Sequence, residues 1–332
     1  MKRTSFLVSA AASAGIATMP IGPASAAPAA TPSVPQESPI ALTTSMGTIY
    51  GTLTVRPEDV LADPVVLLIS GSGPTDRDGN NPMLPGNNDS LKQIAYALAA
   101  RGISSVRYDK RLIAASSSAG PKEINLRFDM YVDDAVGWVR LLRADKRFSR
   151  ITIAGHSEGS LIGMLAAVRA SAEGYVSLEG AGRPAPVVLH EQFDKNLAST
   201  PELRAQADHI IDELSAGRTV ADPPAALAAA FRTSVQPYLI SWFKYDPAHE
   251  IAAVRGRAAI VQGTADVQVA LADGDRLHAA LPSANYVVVQ GMNHVLKHAP
   301  DTSTPTAVVA GYTDPTLPVE PRVIETIVGV AR

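Results

Sequence analysis

Apolar residues recur along this chain in two alternating rhythms. Short unbroken runs, such as Val65-Val66-Leu67-Leu68-Ile69, are followed by longer stretches in which apolar positions return every three or four residues. The unbroken runs fit strands buried on both faces, and the longer spacing fits helices with one apolar side. The pattern predicts a hairpin over residues 40–56, turning at Met46-Gly47, and then a strand over 65–70. A helix follows from the capping residues Asn88-Asp89-Ser90, carries Leu91, Ile94, Ala95 and Leu98 on one side, and is closed by Gly102. Further strands are expected over 104–108, 150–154, 175–178, 258–262 and 286–290. Helices are expected over 129–143, 160–172, 270–281 and 321–331. Such alternation builds βαβ units and a mostly parallel central sheet flanked by helices.

The rhythm breaks between residues 183 and 253, where no strand is evident. Thr200-Pro201-Glu202 opens a helix that Gly217 closes, and residues 224–231 and 235–243 read as shorter helices. A helical segment inserted after the sixth strand is expected to cap the carboxyl ends of the strands, where ligands bind in open α/β sheets. The expected organisation is a body over 40–182 and 254–332 with a helical cap over 183–253.

Chemistry collects at the ends of the strands. Gly155-His156-Ser157-Glu158-Gly159 lies between a predicted strand and a predicted helix. In that context a G-x-S-x-G sequence forms a sharp turn that lifts the serine hydroxyl above the sheet edge. A serine hydroxyl is a weak nucleophile and needs a base, which in turn needs an orienting carboxylate. Asp266 follows the strand at 258–262 and His294 follows the strand at 286–290, so both fall at the same sheet edge as Ser157. The expected catalytic set is Ser157, His294 and Asp266, with Asp273, Asp275 and His298 as alternatives for the acid and base. His156, beside the nucleophile, is expected to pack against the sheet.

The stretch "SGSGPTDRDGNN", residues 70–81, raises three possibilities. A calcium loop fails on spacing, because Asn81 stands where glycine is needed and Asn87 where glutamate is needed. A phosphate loop fails for want of a terminal G-K-[ST]. What remains is the loop after a strand that supplies an oxyanion N–H. Ser72 and Glu158 are the expected oxyanion donors, with Gly73 as the alternative to Ser72. Asp76, Arg77 and Asp78 are expected to be structural, pairing with Lys110-Arg111.

Composition narrows the setting. The chain has 332 residues, is 46% hydrophobic, contains no cysteine and carries a net charge of -3. No basic patch points to nucleic acid. Lys2 and Arg3 precede a small apolar stretch, Phe6 to Met19, and the cleavage sequence Ala24-Ser25-Ala26. This reads as a signal peptide over 1–26, followed by a Pro/Ala-rich leader over 27–39, in an exported protein that is periplasmic or secreted. The apolar stretch is too short to span a bilayer and no cysteine is present for a lipid anchor, so no stable membrane anchor is expected.

Taken in order, "SGSGPTDRDGN", "RYDKR", "GHSEG", "GTAD" and "NH" resemble the α/β-hydrolase superfamily, and within it bacterial serine esterases with a helical cap. The resemblance covers about residues 40–332. It implies an α/β-hydrolase fold and cleavage of a small-molecule carboxylic ester through an acyl-enzyme, with no metal or cofactor. It assigns the nucleophile to Ser157, the acid to Asp266 and the base to His294. Phe193, Tyr238 and Trp242 of the cap segment are candidates to line an apolar pocket for short or medium acyl chains. Glu158 departs from the small or apolar residues frequent beside the nucleophile. It suits either polar or cationic substrates or an inert salt bridge. An aminopeptidase, lactonase or thioesterase with the same triad is the alternative, and Glu158 or Glu191 would then receive a substrate ammonium. A non-catalytic ligand-binding protein on the same scaffold is the second alternative.

Overall fold

The computed structural model describes residues 35–55, 63–299 and 301–332. The expected signal peptide and the first part of the expected leader lie outside the described residues. The described residues form one compact unit. Its strands are β1 (Gln36–Thr44), β2 (Gly47–Val55), β3 (Asp63–Ile69), β4 (Ser104–Tyr108), β5 (Phe148–His156), β6 (Gly174–Leu178), β7 (Arg257–Gly263) and β8 (Asn285–Val289). They make one sheet in the order β1-β2-β4-β3-β5-β6-β7-β8. From β4 to β8 all neighbours are parallel, and β2 runs against both β1 and β4. β1 begins at Gln36, so residues 36–39, expected as leader, are strand. Pro39 pairs with Thr52 there, on the sheet's outermost strand, where a missing N–H is tolerated.

The helices are α1 (Ser90–Ala99), α2 (Phe128–Ala144), α3 (Glu158–Ala170), then α4 (Ala185–Asn196), α5 (Pro201–Ser215), α6 (Ala228–Phe231), α7 (Gln236–Phe243) and α8 (Pro247–Ile251). They end with α9 (Leu271–Ala280), α10 (Pro305–Thr313) and α11 (Pro321–Ala331). Helices α4 to α8 all fall between β6 and β7. The alternating side chains of the strands separate two cores. Val66, Leu68 and Ala154 pack under α1 and α11, through Leu91, Ile94, Leu98, Val323 and Ile327. Val65, Leu67 and Ile153 pack under α2 and α3, through Phe128, Val132, Val139, Ile162 and Met164. Both faces of β3 are thus dry from Val65 to Ile69, which is why that run is continuously apolar.

Three helices escape the sequence pattern. In α4 only Ala185 and Val188 are buried, so no continuous apolar stripe marks it. Helix α8 is a single short turn capped by Asp246, whose side chain accepts from the Ala248 N–H. Helix α10 buries only Tyr312.

Leu67 and Leu68 are both fully buried, on opposite faces of β3. We expect Leu67→Ala and Leu68→Ala each to cost about 2–5 kcal/mol in urea unfolding. A cost below about 1 kcal/mol at either would contradict two separately packed cores.

Candidate active site

β5 ends at His156 and α3 begins at Glu158, so Ser157 makes the turn alone, at φ 56° and ψ -121°. A non-glycine residue with positive φ is strained, and it persists only where its surroundings fix it. Two glycines allow the close approach. A Cβ on Gly155 would sit 2.0 Å from the Gly159 carbonyl oxygen, and one on Gly159 would sit 2.5 Å from that of Ile69 in β3. The Ser157 N–H donates to the Leu178 carbonyl at 2.9 Å, tying the turn to β6.

The loops after β7 and β8 bring Asp266 and His294 to this turn. Ser157 Oγ lies 3.0 Å from His294 Nε2, and His294 Nδ1 lies 2.7 Å from Asp266 Oδ2. With the Nδ1 tautomer, the imidazole N–H donates to the carboxylate and the serine hydroxyl donates to Nε2. The other Asp266 oxygen accepts the Gln268 and Val269 N–H groups, at 2.7 and 3.0 Å. Burial alone would raise the Asp266 carboxyl. The charge and hydrogen bond of His294 and the Val269 N–H outweigh that effect and hold it below its ordinary value. The alternatives are placed elsewhere. Asp273 is fully buried and receives the Gly182 and Arg183 N–H groups and the Arg183 guanidinium. His298 is paired with Glu320.

His156 is buried and its Nε2–H donates to the His294 carbonyl at 2.6 Å, so it holds the loop that carries the imidazole. Burial and the neighbouring His294 lower its pKa to about 3. Glu179, at the end of β6, was not singled out from the sequence. It is fully buried beside Asp266, and burial followed by that neighbouring carboxylate raises its pKa well above the ordinary value. Two adjacent buried carboxyls cannot both ionise at little cost. Asp266 has the imidazole and two N–H donors, so the proton belongs on Glu179.

The oxyanion candidates face the same space. A cleft beside the turn is lined by Ser157, Ser72, Glu158, Leu161, Arg183, Val188 and Trp242, among others. A Cβ on Gly71 would stand 3.2 Å from the Ser157 Cβ, so this loop lies against the nucleophile. Among the described residues the Ser72 N–H meets no acceptor. The Glu158 N–H opens α3, where first-turn N–H groups have no partner within the helix. The Glu158 carboxylate points elsewhere. It is 2.8 Å from Lys110 Nζ and accepts the Tyr238 hydroxyl at 2.5 Å, both partners being buried.

Other expected pairings change. Arg77 is bound to Asp109 and Asp78 to Arg107, while Lys110 goes to Glu158 and Arg111 to Asp134. The loop over 70–81 is therefore fixed to the end of β4, through Arg77 and Asp78 on Asp109 and Arg107, while Lys110 reaches the loop at the Gly71 carbonyl rather than at Asp76, Arg77 or Asp78. The reason is alternation: neighbouring residues at a strand end face different ways, and each meets its own carboxylate. Glu191 is taken up by Arg183. Of the three aromatics expected to line an apolar pocket, Trp242 lines the cleft. Phe193 lies against Phe231, with ring centres 5.1 Å apart, and Tyr238 is spent on Glu158.

A parallel sheet with a sharp serine turn at one strand end, and a histidine and an acid at two others, defines a serine hydrolase of the α/β-hydrolase superfamily. The chain belongs to the family described as serine aminopeptidase, S33, whose model matches residues 87–326. It is similar to Esterase EstD of Thermotoga maritima, with 33% identity over 130 residues, which is 39% of this chain and 30% of that esterase. The match thus spans under a third of that relative. In fold it is similar to Est1E from Butyrivibrio proteoclasticus with ferulic acid bound. That likeness has a TM-score of 0.56 and 13% identity, and covers 87% of this chain and 99% of that one. Likewise the α/β-hydrolase GrgF from Penicillium sp. sh18 matches with a TM-score of 0.57 and 14% identity over 89% of this chain and 99% of that one.

Two predictions follow from the buried groups. His156 binds its proton more weakly folded than unfolded, so below its unfolded value of 6.5 the unfolded chain takes up the proton first. Stability should then drop as pH falls from 6.5 toward 3, by about 3 kcal/mol by pH 4.5. His156→Gln, which keeps a donor for the His294 carbonyl, should flatten urea midpoints over that range; an unchanged slope would contradict a neutral His156. Glu179 has the opposite sign. Its folded pKa is raised, so its contribution is complete below the unfolded value of 4.5 and is lost as pH rises above it. Glu179→Gln should raise the urea midpoint at pH 8 but not at pH 4, and keep turnover within about threefold. Loss of turnover by 100-fold would mean that Glu179 works as a carboxylate.

Proposed function

We propose that this protein hydrolyses carboxylic esters through a Ser157 acyl-enzyme. The observation that carries the reading is the continuous hydrogen-bonded path from Ser157 Oγ through His294 to Asp266. Ser157 Oγ attacks the ester carbonyl carbon while His294 Nε2 takes its proton. Asp266 holds the imidazole tautomer and stabilises the imidazolium. The carbonyl electron pair moves to oxygen, and the resulting oxyanion is received by the N–H groups of Ser72 and Glu158. When the tetrahedral species collapses, His294 returns the proton to the departing alkoxide. A water then enters by the same path, giving the acid and free Ser157.

Residues 183–253 serve in this reading as a cap. Val188, Leu189 and Trp242 come from it and meet Leu161 of α3 in the cleft. These apolar walls support a short or medium acyl chain. The aminopeptidase alternative is favoured by the family's description. Against it, Glu158 and Glu191, the carboxylates available for a substrate ammonium, already face Lys110 and Arg183. On the pattern from Lys2 to Ala26 we place the mature chain outside the cytoplasm, a point that N-terminal sequencing of the processed protein would test.

The test is turnover of p-nitrophenyl esters from acetyl to palmitoyl beside aminoacyl-p-nitroanilides. Ester turnover with a short or medium optimum is expected, and Ser157→Ala should lower kcat by at least about 10⁴-fold while remaining folded. Anilide turnover with inert esters would replace this reading by the peptidase.

A further inference from the structure

We propose that Lys110 is a positioning residue for the oxyanion site, acting through Glu158 and Gly71, and that Tyr238 of α7 completes the same clamp. The inference rests on the acyl-transfer reading above and assigns a role to side chains that the reading leaves idle.

Lys110 follows β4 and is almost wholly buried, at 1% exposure. Its ammonium donates to the Gly71 carbonyl at 2.5 Å and to Glu158 Oε2 at 2.8 Å, over the face of the Tyr131 ring at 5.2 Å. Gly71 immediately precedes Ser72, and the Gly71 carbonyl belongs to the same peptide unit as the Ser72 N–H. A donor fixed on that carbonyl therefore fixes the direction of the N–H, because the peptide is planar. Glu158 supplies the second oxyanion N–H, and its side chain is held from two sides, by Lys110 on one oxygen and by Tyr238 on the other. One ammonium thus sets both oxyanion donors, which come from loops after β3 and β5. Burial and the Glu158 carboxylate push the Tyr238 hydroxyl well above its ordinary value, so it stays a donor. Tyr238 sits within the segment after β6, so packing of that segment reaches the oxyanion site through one carboxylate.

Stability alone accounts poorly for this arrangement. A buried ion pair gives little net stability against apolar residues of the same size, whereas it fixes orientation. Oxyanion donors need that orientation, since a displacement of about 1 Å in a catalytic group can cost about 100-fold in rate.

The experiment uses the full chain and a p-nitrophenyl ester, with a trifluoromethyl ketone of matching chain as probe, because its hemiketal oxyanion occupies the oxyanion site. Lys110→Met alone strands a buried carboxylate and can unfold the chain, so the informative variants are Lys110→Met/Glu158→Gln, which leaves no unpaired charge, and Tyr238→Phe. For the double variant we expect kcat to fall about 10- to 100-fold with KM within about threefold, and the ketone inhibition constant to rise in parallel with the loss of kcat. Tyr238→Phe should move the same two quantities by a smaller factor and leave the acyl-chain optimum unchanged. Wild-type kcat and ketone affinity in either folded variant would overturn the clamp. So would a Tyr238→Phe effect confined to KM or to the chain-length optimum, which would make Tyr238 a pocket wall. If the wild-type chain neither turns over esters nor is labelled at Ser157 by a fluorophosphonate, the acyl-transfer reading fails and this inference falls with it. Labelled, active wild type with unaffected variants overturns the clamp alone.

Discussion

The arrangement of this molecule depends on one backbone constraint, the positive φ of Ser157. A strand must become a helix across a single residue, and the residue that makes the turn carries a side chain in a region that side chains avoid. Such a turn holds only if both neighbouring strands press on it. β3 does so through Gly159, packed on the Ile69 carbonyl, and β6 does so through the Leu178 carbonyl that accepts the Ser157 N–H. The parallel register of β3, β5 and β6 is therefore more than a scaffold. It brings three strand ends to one level, and the next two strands, β7 and β8, extend that level to Asp266 and His294.

The charges around the site follow from the same geometry. The end of β4 and the residues after it read Arg107-Tyr108-Asp109-Lys110-Arg111, and the four charged side chains meet Asp78, Arg77, Glu158 and Asp134 in turn. These are buried or half-buried pairs joining segments far apart in sequence. Buried pairs of this kind contribute little net stability, yet losing one partner is costly because a charge is left without a counterpart. Each pair therefore works as a constraint on where a loop can lie. The loop over 70–81 is held by two of them, and the residue next to the nucleophile by a third.

This distribution explains what could be read from the sequence and what could not. β3 was legible because Val65–Ile69 is dry on both faces and so reads as an unbroken apolar run. The turn was legible because two glycines flanking a serine between a strand and a helix have a steric meaning. Asp266 and His294 were legible because each follows a strand of the same parallel sheet. Helix α4 was not, since it presents no continuous apolar stripe. The partners of Lys110 and Arg77 were hidden for another reason. A run of adjacent charges shows that pairing must occur, but which carboxylate each meets depends on strand twist and loop path. Glu179 was hidden because a lone glutamate after a strand carries no signal until burial and its neighbour are known.

The same reasoning bears on specificity. The carboxylates and cations around the cleft are already engaged with one another: Glu158 with Lys110, Arg183 with Glu191 and Asp273. A charged substrate would have to break a pair whose remaining member is costly to leave alone, whereas an apolar acyl group needs only shape and dryness. In the proposed acyl transfer, selection among substrates would therefore fall to Val188, Leu189 and Trp242, on helices that follow β6, and bond making to residues at strand ends. The two tasks are carried by separate parts of the chain, and the Tyr238 hydroxyl on Glu158 is a direct hydrogen bond between them. A change in how those helices pack can alter the pocket walls without moving Ser157. Through that contact it can also alter how firmly Glu158, an expected oxyanion donor, is held.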